Sequence, residues 1–310
     1  MNPPFDRRQF LQSAGLTGLA GIGGAVFVPG LGAAAHAADA ASASASASAY
    51  DDFYFVQLPD IHWGFEGAPN PDAKGTLPKA VAAVNALTVQ PGFVIFTGDL
   101  THTTDDPKER RKRMAEFQKM AAELKVKTMR FIPGEHDAAL DNGRAFKEFF
   151  GAPYYSFDHK GVHFIVLDNV SEPGAKLGDE QLAWLATDLA KQPRDARTVV
   201  FTHRPLFDLY PQWDWATRDD AKAMDLLMPH PNVTVFYGHI HHEHHHMTGH
   251  IAHHSANSLI FALPAAGSQP KRTPLPWDSA QPYRGLGFRE VEAEGQLAGY
   301  VITEFPLQKG

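Results

Sequence analysis

Phe93-Val94-Ile95-Phe96-Thr97-Gly98-Asp99 carries an apolar run straight into a glycine and a carboxylate. Four apolar residues bounded by turn signals read as a buried strand over 93–96, and the glycine permits a close backbone turn that leaves Asp99 at the strand's end. The same grammar recurs on both sides. Phe53–Leu58 reads as a strand ending in Pro59-Asp60-Ile61-His62, and 126–132 ends in Pro133-Gly134-Glu135-His136-Asp137. Residues 198–202 end in Thr202-His203-Arg204-Pro205, and Val233–Tyr237 ends in Gly238-His239-Ile240-His241. A lone Gly-Asp or Asp-x-His is ordinary turn or surface chemistry. Five such motifs at carboxyl ends of strands mark the edge where open α/β sheets place their ligands.

Between these strands the chain supplies helices. Residues 76–87, 177–191 and 219–228 have helical patterning, and Asp106-Pro107-Lys108-Glu109 is a helix start with an acidic cap, proline at the first position and Glu three residues on. Met114, Phe117, Ala121 and Leu124 give that helix one apolar stripe, while the basic run 110–113 is expected on a solvated face. A hairpin is expected from 154–158 and 162–167, turning at His159-Lys160-Gly161. Further strands are expected at 259–263, 288–293 and 298–304, the last two turning at Glu294-Gly295. Alternating strands and helices followed by hairpins predict one mixed-sheet α/β domain with no internal repeat.

Composition narrows the function. The chain has 310 residues, 44 % hydrophobic and 20 % charged, with a formal charge of −7, which argues against a broad basic footprint for a nucleic-acid polymer. The lack of cysteine removes disulfides, thiolate zinc sites, iron–sulfur clusters and a cysteine nucleophile. Histidine is the outlier: 17 in all, nine of them between His239 and His254, an excess that points first to metal.

The first 37 residues read as an address. Arg7-Arg8-Gln9-Phe10-Leu11 precedes a glycine-rich apolar run too short for a confident membrane span, and Ala35-His36-Ala37 offers small residues for cleavage. This resembles a twin-arginine export signal. The resemblance implies the twin-arginine machinery as a partner, a periplasmic or secreted protein, and no stable membrane anchor after cleavage. Residues 38–49 form an Ala/Ser low-complexity tether, leaving 50–310 as the folded domain.

Asp60, Asp99 and Glu135 with His62, His203, His239 and His241 make a mixed oxygen and nitrogen donor set suited to transition metals such as Mn, Fe or Zn. Seven donors exceed the needs of one catalytic ion that keeps an open position; they suit two ions ~3.5–4 Å apart, the arrangement that hydrolyses phosphate esters. On an extended backbone, residues i and i+2 share a face, so Asp60 with His62, and His239 with His241, are each expected to share an ion.

The ordered set Asp-x-His, Gly-Asp, Gly-Glu-His-Asp, Thr-His-Arg-Pro-Leu and Gly-His-x-His, over about residues 53–263, resembles the calcineurin-like metallophosphoesterases. Val56-Gln57-Leu58, Asn70-Pro71-Asp72 and Tyr210-Pro211-Gln212-Trp213 look like its exported bacterial branch. The resemblance implies a four-layer α/β/β/α sandwich of two mixed sheets flanked by helices. It also implies two divalent or mixed-valence ions, one held by Asp60, His62 and His241, the other by Glu135, His203 and His239, with Asp99 bridging. His136 would contact the phosphoryl group or assist the leaving oxygen, and Asp137 would orient His136 from behind. The implied reaction is hydrolysis of a small phosphomonoester or phosphodiester by direct in-line attack of a metal-bound hydroxide. The alternative is a histidine-rich metal-binding or metal-buffering protein that keeps the fold without turnover.

One position departs from the family. Its usual turn is Gly-Asn-His-Asp or Gly-Asn-His-Glu, and here Glu135 stands for the asparagine. A ligating Glu135 raises the ligand charge from −2 to −3, which favours a more charged ion pair or weakens phosphate affinity. His242 to His254 read either as a second metal site or as a strand and loop near the rim of the active site. Phe207, Tyr210, Trp213 and Trp215 read either as a nucleoside-stacking wall or as packing for their loop. His102 reads as structural, and the proline-rich 263–284 as a surface loop.

Overall fold

The computed structural model describes residues 52–293 and 299–308; the leader, the tether and the Glu294-Gly295 turn lie outside the described residues. In chain order the first half comprises β1 (Phe53–Leu58), α1 (Ala73–Asn85), β2 (Phe93–Thr97), α2 (Pro107–Ala121), β3 (Met129–Ile132), α3 (Glu135–Ala138), α4 (Arg144–Phe150) and β4 (Tyr155–His159). The second half comprises β5 (Val162–Val166), α5 (Asp179–Leu189), β6 (Thr198–Phe201), α6 (Asp220–Leu227), β7 (Val233–Tyr237), β8 (His244–Thr248), β9 (Ile251–Ser255), β10 (Gly287–Ala293) and β11 (Tyr300–Pro306).

Every side chain of β1 is buried because both faces of the strand are covered. Phe53 and Phe55 face one way, into a layer shared with Phe93, Ile95, Phe164 and Phe201. Tyr54, Val56 and Leu58 face the other, against Leu77, Val81 and Val84 of α1 and Phe117 of α2. The first sheet is ordered β11-β10-β1-β2-β3, the second β4-β5-β6-β7-β9-β8. Each mixes parallel and antiparallel pairs: β2 runs parallel to β1 and β10 antiparallel to it, while β6 and β7 run parallel and β4–β5 is a hairpin. Ile165, Val200 and Val235 of the second sheet pack outward on Leu185 of α5 and Leu227 of α6. The order of layers is therefore α/β/β/α, as expected from the sequence.

Local rules hold where they were strongest. Asp106 caps α2 by accepting from the Lys108 amide at 2.8 Å, with Pro107 at the first position. Lys160 and Gly161 turn the β4–β5 hairpin with φ of 51° and 81°. Among the described residues no helix is long and apolar enough to cross a membrane.

Three expectations are corrected. No strand forms at 259–263; Leu259 instead plugs the outer core and its amide donates to the Pro59 carbonyl at 3.1 Å. The sheet is completed by the β8–β9 hairpin, with β9 parallel to β7. The basic run of α2 is not wholly solvated, since Arg110 is buried and its guanidinium bonds Asp141 at 3.0 Å and the Thr104 carbonyl at 3.0 Å. Removing one partner of a buried pair strands the other's charge, so Arg110→Ala is expected to destabilise the fold by about 3–5 kcal/mol, against under about 0.5 kcal/mol for the exposed Arg111→Ala. Urea unfolding of the two variants checks this. The aromatic loop is also settled: Phe207, Trp213 and Trp215 are buried with Tyr237 and Ile240, packing their own loop.

Candidate metal centre

The strand-end loops are stitched together before any side chain is considered. The His62 amide donates to the Asp99 carbonyl at 2.7 Å, the Trp63 amide to the Leu100 carbonyl at 2.9 Å, and the Gly238 amide to the His203 carbonyl at 3.0 Å. The pairs Asp60/His62 and His239/His241 converge, but not through strand pleating. β1 and β7 have already ended, and the four residues take left-handed φ of 51°, 48°, 68° and 57°. Asp99 does the same at 49°. Non-glycine residues rarely adopt this region, and such strain concentrates at functional sites. Ile61 and Ile240, between the members of each pair, are buried in the interior and anchor the twist.

Seven donors form two adjoining groups, Asp60, His62, Asp99 and His241 in one, Glu135, His203 and His239 in the other. Asp99 links them: its Oδ2 lies 3.4 Å from both His62 Nε2 and His203 Nε2, while its Oδ1 accepts from the His136 amide at 2.9 Å. His62 Nε2 and His241 Nε2 are 3.3 Å apart. Glu135 places Oε2 2.9 Å from His203 Nε2 and Oε1 2.7 Å from His239 Nδ1.

The imidazoles are aimed by hydrogen bonds on their far nitrogens. His203 Nδ1 bonds the Thr97 carbonyl and His241 Nδ1 the Phe261 carbonyl, each at 2.8 Å, which turns Nε2 of both toward the carboxylates. Burial keeps His62 and His239 well toward the neutral form and pushes His241 down to about 3, so these rings offer lone pairs at neutral pH. Burial opposes the Glu135 carboxylate, yet His239 and His203 beside it hold its pKa well below the ordinary range. Asp99 is likewise lowered against its burial by His203 and His136. Buried Glu135 Oε2, His203 Nε2 and His239 Nε2 have no hydrogen-bond partner. Orphaned donors of this kind, converging from two sides on one carboxylate, fit a pair of transition-metal ions.

His136 lies at the open side of the group, its side chain 30 % exposed and its Nε2 4.0 Å from Asp99 Oδ2. Asp137 does not stand behind it. That carboxylate accepts from the amides of Gly134, Leu100 and Thr101 and from the Thr101 hydroxyl, at 2.8–3.0 Å, tying the two loops together. Burial, then the nearby Asp99, pushes its pKa up to about 6. The residue behind His136 is Thr103, whose Oγ1 lies 2.7 Å from Nδ1 and whose amide donates to the same nitrogen at 3.3 Å.

His102 was missed as well. Its Nδ1 lies 3.3 Å from His62 Nδ1, its ring stacks on His136 at 4.9 Å, and burial, then His136, pushes it down to about 4. Its position three residues after Asp99, in the same loop, was the available signal. Trp63, His102, Thr103 and Arg113 also line a cavity of about 600 Å³ next to the centre.

The comparisons agree with this geometry. The profile described as Calcineurin-like phosphoesterase matches residues 53–243, which contain all of the donors above. The chain is similar to mouse Serine/threonine-protein phosphatase CPPED1, 30 % identical over 178 residues that cover 50 % of this chain and 57 % of the relative. It is also similar to the "Probable cyclic nucleotide phosphodiesterase" of Rhodopseudomonas palustris, 28 % identical over 204 residues covering 60 % and 71 %. The fold resembles a dimetal phosphatase from Danio rerio, with a TM-score of 0.52, 14 % identity, and coverage of 83 % of this chain and 99 % of that one. The chain thus spans little more than half the length of the mouse relative.

Proposed function

The chain belongs to the calcineurin-like phosphoesterase family, and from that premise we propose that it is an exported dinuclear-metal phosphoesterase acting on small phosphomonoesters or phosphodiesters. One observation carries the reading: a single carboxylate oxygen, Asp99 Oδ2, faces the nitrogen donors of both groups at 3.4 Å. In this reading Asp60, His62 and His241 hold one ion, Glu135, His203 and His239 the other, and Asp99 bridges. The similarity to a phosphatase and to a cyclic nucleotide phosphodiesterase supports both ester classes as substrates. The twin arginines at Arg7 and Arg8 support export to the periplasm or beyond.

Two bound cations would neutralise the non-bridging phosphoryl oxygens and lower the pKa of a bound water, supplying the attacking oxygen near neutral pH. The chain's own residues do the rest. The Thr103 amide donates to His136 Nδ1, so a neutral His136 carries its proton on Nε2. That N–H faces the open side, where it can donate to a phosphoryl oxygen or to the departing oxygen. Glu135 contributes negative charge that an asparagine would not, and Arg204, whose Nη1 is 3.5 Å from Glu135 Oε1, partly offsets it.

The test compares p-nitrophenyl phosphate and bis(p-nitrophenyl) phosphate, with Mn²⁺ or Fe supplied, in wild type and His136→Ala. Wild type is expected to hydrolyse at least one ester. His136→Ala should lower kcat ~10²–10⁴-fold with metal content unchanged, as for loss of a proton-donating group. Thr103→Val should fall between the two. A wild-type protein that binds two ions yet turns over neither ester would move the reading to a metal-binding protein without turnover.

A further inference from the structure

The β8–β9 hairpin carries histidines that the centre does not use. Its antiparallel register sets His245 opposite His254 and His246 opposite His253, on opposite faces. The two pairs have different surroundings. His246 stacks on Phe207 at 3.9 Å and His253 is wholly buried, so that face is closed by aromatic packing. His245, by contrast, is half exposed, and its Nδ1 lies 2.6 Å from His254 Nδ1. Its other nitrogen, Nε2, lies 3.0 Å from Glu243 Oε1, with Glu243 itself half exposed.

Two ring nitrogens at 2.6 Å must share something positive, a proton or a metal ion. The geometry favours a metal for two reasons. Glu243 on Nε2 fixes the proton of His245 there and leaves the Nδ1 lone pair toward His254, the carboxylate–histidine arrangement that raises the basicity of a metal-binding imidazole. Burial, then His245 and Arg289, pushes His254 down to about 4, so its ring is neutral at pH 7 and also offers a lone pair. Two lone pairs facing each other repel unless a cation lies between them. At Zn–N distances of ~2.0–2.1 Å and a tetrahedral angle, two nitrogens sit roughly 3.3 Å apart, within reach of a small rotation of the exposed His245 ring. The nearest fixed positive charge, Arg289, is bonded through Nε to Glu304 Oε1 at 2.6 Å and so does not stand against a second cation.

We propose that His245 and His254 form a further transition-metal site on this hairpin, separate from the dinuclear centre, taking a borderline divalent ion such as Zn²⁺, with Glu243 orienting His245. Its remaining coordination positions face solvent, so the bound ion is exchangeable.

The test is a calorimetric titration of the full chain, already carrying its dinuclear ions and desalted, with Zn²⁺ alone. Wild type is expected to take up one further equivalent. His245→Ala and His254→Ala should each abolish it. Loss of an outer hydrogen-bond partner weakens a metal site ~10–100-fold, so Glu243→Gln should weaken uptake within that range. His250→Ala, in the hairpin turn with its Nε2 on the His230 carbonyl, should leave uptake unchanged. Elemental analysis and the melting temperature, unchanged across the series, separate loss of this site from damage to the fold or the centre. The proposal is overturned if wild type takes up no further ion, if uptake persists in His254→Ala, or if His250→Ala loses it equally.

Discussion

Asp99→Asn is expected to reduce hydrolysis of both nitrophenyl esters by at least ~10³-fold, because a bound metal stabilises the transition-state charge by several kcal/mol and each 1.36 kcal/mol is tenfold. The substitution keeps the shape and removes one negative charge. Orientation then makes the loss unavoidable. With the amide oxygen in the Oδ2 position, its NH₂ meets the His136 amide, which now donates to Oδ1 at 2.9 Å. Turned the other way, the NH₂ confronts His62 Nε2 and His203 Nε2, both 3.4 Å from Oδ2. Neither arrangement leaves an acceptor between the two groups together with a satisfied loop. Metal content should fall below two ions per chain while the circular dichroism spectrum holds. Elemental analysis beside steady-state kinetics checks it, and a variant that retains two ions and turns over within tenfold of wild type sinks the bridging role.

The site was more legible in the sequence than the loops that hold it. Donor identity depends on residue type at a strand end, which sequence displays directly. Asp60, His62, Asp99, Glu135, His203, His239 and His241 are brought together as the motif order implied. The reason given for the paired motifs was incomplete, because side-chain period alone cannot reveal that both members twist into left-handed backbone beyond the strand. Supporting residues were harder. Asp137 precedes no obvious partner in sequence, and its four hydrogen-bond donors come largely from the 100–101 loop, more than thirty residues away. Thr103 and His102 are ordinary residues until the loop folds them behind His136 and His62. The layers were readable because β1 and β2 are apolar on both faces. The apolar run at 259–263 misled for the same reason: a buried plug and a buried strand share a composition, and only β8–β9 pairing decides between them.

Gly134→Ala is expected to disable the centre although no donor changes. Gly134 has φ of −105°, a conformation that alanine adopts freely, so backbone strain is not the issue. The obstacle is space. A Cβ there would stand 2.1 Å from both the amide nitrogen and Oδ1 of Asp99, an overlap with backbone that no rotamer relieves. Either the 97–100 loop or the 133–137 loop must withdraw, and Asp137 binds them to each other through Gly134, Leu100 and Thr101. Whichever moves, Asp99 and Glu135 separate, and the ions they hold are pulled from register. Misplacement of about 1 Å in a catalytic array can lower the rate ~10²-fold, and overpacking destabilises by about 1–3 kcal/mol, roughly 2 to 10 °C in Tm for a chain of this size. Gly151→Ala supplies the contrast: its φ of +86° makes the substitution strained, but nothing lies within 4 Å of the added carbon. That variant should lose about 1 kcal/mol and keep full turnover. If the two variants lose stability alike and both keep their rate, close approach of Gly134 to Asp99 does not set the geometry of the centre. A rate lost only in Gly134→Ala assigns that role to the contact between the two loops.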